Sequence, residues 1–194
     1  MVAVLRRVDD HTIALLLEHP RLIHRVLSDQ DEGEEAPTPA PGFFARLLGR
    51  AAPASLPPIT VEREAGDTID LDKAWNAIHF MLTNSADDTD HPLGFLFSGG
   101  EVIDEEVGYG PARAFSAAQT QEIARLVAEI SREDFLGRYD APAMFRAKVY
   151  PDALWAPDRV NDDLADYVVG NFDFLKQFLS AAAAAKQGFL VFLS

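Results

Sequence analysis

Residues 67 to 83 read DTIDLDKAWNAIHFMLT, a stretch with the marks of a capped, nearly apolar helix. Asp70 is placed to cap a helix, because a short carboxylate side chain can accept from the free N–H groups of a first turn. Asp72 falls in that first turn, where negative charge suits the positive end of the helix dipole. Trp75, Ile78, His79 and Leu82 then follow at i, i+3, i+4 and i+7, the spacing of one helical face. Ala74, Ala77 and Met81 make the remaining faces nearly apolar, which predicts a helix buried on most sides. Asp72, Trp75 and His79 lie along one edge of it. Such an edge can line a cleft with His79 as a general base. It can equally be interior, with Trp75 in the core and His79 hydrogen-bonded inside, and this second reading is preferred because buried polar groups mark sites only statistically.

On either side of this helix the chain supplies strands and further helices. Val2 to Val8 is rich in β-branched residues and reads as a first strand. Asp9 or Asp10 can cap a helix carrying Ile13, Leu16 and Leu17, and Pro20 suits the first turn of a second helix to Leu27. Leu93 to Phe97 reads as a strand, Ser98-Gly99-Gly100 as a turn, and Glu101 to Ile103 as the returning arm of a hairpin. Ala112 to Phe115 is a further short strand. Ser116 to Ile130 is the clearest amphipathic helix, with Ser116 and Gln119 forming a capping box. Ser131 caps a short helix, Asp140 to Tyr150 is helical, and Asn161 opens a long last helix that Gly188 ends. Phe189 to Leu193 is continuously apolar, as a central strand buried on both faces should be. The order of elements predicts one three-layer-like α/β domain, a mixed sheet covered by helices.

A length of 194 residues fits a single domain with a real core. Between about 30 and 60 the composition changes. An acidic run, Asp31-Glu32-Gly33-Glu34-Glu35, is followed by prolines 37, 39, 41, 53, 57 and 58, the signature of a variable loop. Inside it, GFFARLLGR (42–50) has an apolar face of Phe43, Phe44, Leu47 and Leu48 that can dock on a membrane or a partner, but so short a helix is marginal alone, and packing back on its own domain is preferred.

The formal charge is 17 minus 31, or −14, so the chain repels phosphate backbones, and nucleic-acid binding is not expected. An acidic surface can meet a basic protein partner, but the plainer reading is that it keeps the chain soluble. No cysteine occurs, which excludes disulfides, thiol nucleophiles and Cys-based metal sites. No apolar run is long enough to span a membrane, and a cytoplasmic protein is the expectation. A nucleophile elbow fails because Leu96 stands two residues before Ser98. Gly108-Tyr109-Gly110 fails as a dinucleotide turn because Arg113 occupies the third glycine position. Glu101, Asp104, Glu105 and Glu106 match no cation-binding loop. No metal or cofactor is implied, and the balance is against an enzyme.

IDLDKAWNAIHFMLT (69–83), PLGFLFSGGE (92–101), GYGPARAFS (108–116), Tyr150-Pro151 and the terminal FLVFLS together resemble the YfbM-like bacterial proteins, a family of unknown function. The resemblance covers residues 66 to 194 well and 1 to 29 weakly. It implies a three-layer α/β domain and no particular activity. The family's recurring polar positions would here be Asp72, Trp75, His79, Glu101, Tyr109 and Arg113. A compact domain can bring these six together, with the always-charged Arg113 pairing with Asp72 or Glu101. The set then either pins the glycine loop to the helix or holds a small polar ligand.

Overall fold

The computed structural model describes residues 1–28, 56–59, 66–87, 89–159 and 162–194. The GFFARLLGR segment, most of the acidic and proline-rich stretch, and Asn161 lie outside them. Among the described residues five strands form one sheet: β1 (Ala3–Val8), β2 (Thr68–Asp70), β3 (Glu101–Glu106), β4 (Pro111–Phe115) and β5 (Gly188–Leu193). Their spatial order is β2-β1-β5-β4-β3. Seven α-helices are seen among the described residues: α1 (Asp10–Glu18), α2 (Ile23–Leu27), α3 (Trp75–Thr83), α4 (Ala117–Ala128), α5 (Arg132–Leu136), α6 (Ala141–Arg146) and α7 (Asp162–Ala184).

β5 lies between β1 and β4, paired from Ala3↔Leu193 to Val8↔Gly188 on one side and from Arg113↔Val191 to Phe115↔Phe189 on the other. Alternate residues of β5 feed two separate cores. Phe189 and Val191 join Trp75, Phe115, Phe172 and Phe178 on one face, under α3 to α7. Leu190 joins Ile13, Leu16, Ile23, Ile103 and Ala114 on the other face, under α1 and α2. The domain is therefore helix, sheet, helix, and a strand with apolar cover on both faces has no polar positions to alternate with.

Every pairing in the sheet is antiparallel, which corrects the expected mixed sheet. The order of elements could not give the direction, because the link from β4 to β5 carries four helices and can return the chain to either end. It returns to the end where β4 stops. A Cβ on Gly188 would sit 2.3 Å from the Phe115 carbonyl oxygen and 2.6 Å from Ile13 Cδ1. Gly188 is thus a close-approach residue that opens β5, not the stop of the last helix. That stop is Lys186 at φ 55, with Gln187 N–H donating to Ala182 O and Lys186 N–H to Ala183 O.

Leu93 to Phe97 is also not a strand. It folds into turns in which Gly94 N–H donates to His91 O and Phe97 N–H to Gly94 O. Phe95 and Leu96 are buried in this form, so a short apolar run satisfied its burial without a ladder. The hairpin is β3 with β4, joined through Gly108-Tyr109-Gly110, and its first strand runs on through the carboxylates to Glu106. Three helix caps act as read, whereas the helix expected from Asp140 to Tyr150 spans only Ala141–Arg146, the chain turning off through Lys148 at φ 56. Asp9 Oδ1 accepts from Thr12 N–H, Ser116 and Gln119 form the capping box, and Ser131 accepts from Asp134 N–H.

Candidate functional site

Asp70 ends β2, and its Oδ1 accepts the Asp72 N–H at 2.6 Å, so it caps the turn before the helix instead of α3 itself. Asp72 adopts φ 47, the left-handed region, and opens a 3₁₀ turn (Asp72–Ala74) that leads into α3. Its carboxylate accepts a hydrogen bond from the Tyr167 hydroxyl of α7 at 2.9 Å. The Tyr167 phenol is pushed up to about 12. Burial is the main cause, followed by the Asp72 bond and charge, while the backbone amides of Lys73 and Ala74 pull the other way.

Trp75 is 1% exposed, stacked on Phe97 at 5.9 Å and tilted against Tyr150 at 6.3 Å. His79 is fully enclosed. Its Nε2 lies 2.9 Å from the Asp87 carbonyl oxygen, which can only accept, so Nε2 carries the proton in this bond. The ring rests 5.7 Å from Phe97. Asn76, which the sequence did not single out, is nearly as buried. It donates to Ala86 O and accepts the Tyr150 N–H at 2.6 Å. The polar side chains of α3 therefore hold two neighbouring backbone segments in place. A polar residue on an otherwise apolar helix was the signal that could have found Asn76.

Arg113 lies on the helix-rich face, opposite Val102 on β3 and Val191 on β5. Its guanidinium donates to the carbonyl oxygens of Ser98 and Gly99 and sits 5.9 Å above the Phe115 ring. Phe97, Ser98 and Gly99 thus lie between α3 and β4, with Trp75 and His79 packed on one side and Arg113 bonded on the other. Glu101 pairs with Ala114, one step along, so its side chain leaves the opposite face of the sheet. Tyr109 sits at the far end of the hairpin and is 67% exposed; only its N–H is anchored, to Leu193 O. Three of the six residues therefore meet around one loop, Asp72 is tied to α7, and Glu101 and Tyr109 are surface residues at opposite ends of the β3–β4 hairpin.

Three clefts are described, of about 820, 510 and 780 Å³, and none of the six residues lines them. Among the described residues no three His, Asp or Glu side chains come together as metal ligands. No described helix is long and apolar enough to cross a membrane. Glu101, Asp104 and Glu106 are exposed along β3, one of the two outer strands among the described residues, beside a Val102 that is 56% exposed.

The model of the family described as "Domain of unknown function (DUF1877)" matches residues 1–192. Among solved structures, the crystal structure of YfbM from Escherichia coli, a protein of unknown function, superposes with a TM-score of 0.62 at 15% identity. The match covers 98% of each chain and shows a shared fold. No curated protein matches this chain. By the family match over nearly its whole length, the chain belongs to the DUF1877 family of unknown function.

Proposed function

We propose that this chain is a non-catalytic binding protein that meets a basic protein segment through the acidic edge of its sheet. The observation that carries the reading is β3. It is an outermost strand, hydrogen-bonded to β4 on one side, with Glu101, Asp104 and Glu106 exposed along it. An outer strand offers unpaired N–H and C=O groups to an added strand. The same carboxylates repel a second acidic edge and so select against self-pairing. A lysine- or arginine-bearing segment gains from both the ladder and the charge, and the overall −14 steers its approach. His79 supports the reading from the other side, because an enclosed imidazole bonded to a backbone carbonyl is poorly placed to take a proton from a substrate. The reading places the protein in the cytoplasm, where a cysteine-free chain forgoes no stabilising disulfide.

The test is fluorescence anisotropy with a labelled Lys/Arg-rich peptide at two salt concentrations. Binding is expected, weaker at higher salt, and weaker by about tenfold or more, roughly 1.4 kcal/mol, for the triple variant Glu101→Gln, Asp104→Asn, Glu106→Gln. Equal affinity in the triple variant, with its circular dichroism unchanged, contradicts the placement on β3. Absence of any binding contradicts the function.

A further inference from the structure

The largest described cleft, about 820 Å³, lies between the last turn of α3 and the link from α5 to α6. Phe80 to Asn84 form one wall, Gly137 to Ala143 the other, and His91 stands at the rim. The volume is within the ordinary range for small-molecule sites, about 300–1,000 Å³. Pro142 gives it apolar surface, and the buried Phe80 and Leu82 reach it only by narrow edges, being 7% and 4% exposed.

Arg138, His91 and Asn84 bring donors to it, and Asp140 and the carbonyl end of α3 bring acceptors. Arg138 reaches across from the α5–α6 link toward α3, where its Nη1 makes one long contact, 3.4 Å, to the Met81 carbonyl oxygen. Arg138 has no ion pair among the described residues. The two carboxylates nearest in sequence make other bonds: Asp134, held low first by its Ser131 hydrogen bonds and last by the Arg138 charge, accepts from the Ser131 hydroxyl at 2.6 Å, and Asp140 accepts from the Ala143 N–H at 2.9 Å. His91 accepts the Leu93 N–H on Nδ1 at 3.1 Å, which leaves its proton on Nε2 as a donor. Asn84, in the left-handed region at the end of α3, adds an amide to the same wall.

We propose that this cleft binds a small organic carboxylate with a compact apolar body. The guanidinium fork matches a carboxylate with two parallel N–H···O bonds, and the 3.4 Å contact it would give up is too long to hold it. Pro142 packs on the apolar body, with the edges of Phe80 and Leu82 beneath it. A monoanion is favoured over a phosphate dianion, because one guanidinium is the only full positive charge in the lining while Asp140 and the carbonyl end of α3 lie beside it. This site is independent of the β3 edge and does not rest on the reading given above.

The experiment follows the backbone amide spectrum of the full chain during titration with 2-naphthoate, alongside inorganic phosphate and 2-naphthylmethylamine. Saturable shifts are expected at Asn84, His91 and residues 138–143 with 2-naphthoate, with weaker binding of phosphate and of the amine. Arg138 is exposed, so Arg138→Gln should fold normally and bind 2-naphthoate about tenfold more weakly or worse, with part of the affinity restored by Arg138→Lys. No saturable shift, shifts centred on other residues, equal affinity in Arg138→Gln, or tighter binding of the amine or of phosphate would each overturn the proposal.

Discussion

At the scale of single residues, polar side chains in this protein tie elements together. Asn76 and His79 fix loop backbone to α3, and the Tyr167 hydroxyl reaches from α7 to Asp72. The Tyr167 bond carries a pH signature. Its phenol is raised to about 12 when folded, above the ordinary tyrosine value of about 10, so the folded state favours the neutral form. That contribution is fully present below about pH 10 and is lost as pH rises through 12. Denaturation midpoints measured from pH 9 to 12 should fall for the native chain, and fall less steeply for Tyr167→Phe. Parallel loss in both proteins would show that Tyr167 contributes nothing to the alkaline decline.

At the scale of elements, what the sequence disclosed depended on whether a signal is local. Caps are local chemistry, and Asp9, Ser116 and Ser131 cap as their side chains indicate. The burial of Trp75 and the central place of the apolar β5 also followed from pattern. Strand direction did not, because four helices separate β4 from β5 and composition does not record where they end. The Leu93 to Phe97 run was ambiguous for another reason: burial without a ladder and burial within one use the same residues. The opening of β5 offers a test at this scale. Gly188→Ala would place its methyl within 2.3 Å of Phe115 O, so the two strands must part. A cost of about 1–3 kcal/mol is expected in urea denaturation, as for other overpacked sites. A midpoint equal to that of the native chain would mean the β4–β5 approach is looser than described.

At the scale of the whole molecule, buried polar groups and exposed charge are kept apart. The expected six-residue site divides along that line. The buried Trp75 and His79 and the half-buried Arg113 brace Phe97 to Gly99, while Glu101 and Tyr109 belong to the surface. Six positions scattered from 72 to 113 gave no means of telling bracing from surface, since each is polar or aromatic and only the sheet register sends Glu101 and Arg113 to opposite faces. The Arg138 cleft was illegible for the same reason, being assembled from segments far apart in the chain. The central claim is that His79 is part of the frame and the outward chemistry lies elsewhere. Urea denaturation of His79→Leu tests it most directly, because leucine keeps the apolar packing and removes the bond to Asp87 O. The account predicts a loss of about 1–2 kcal/mol, the net worth of one hydrogen bond and some ring packing. A variant as stable as the native chain, or more stable, as when a strained catalytic group is removed, would contradict it.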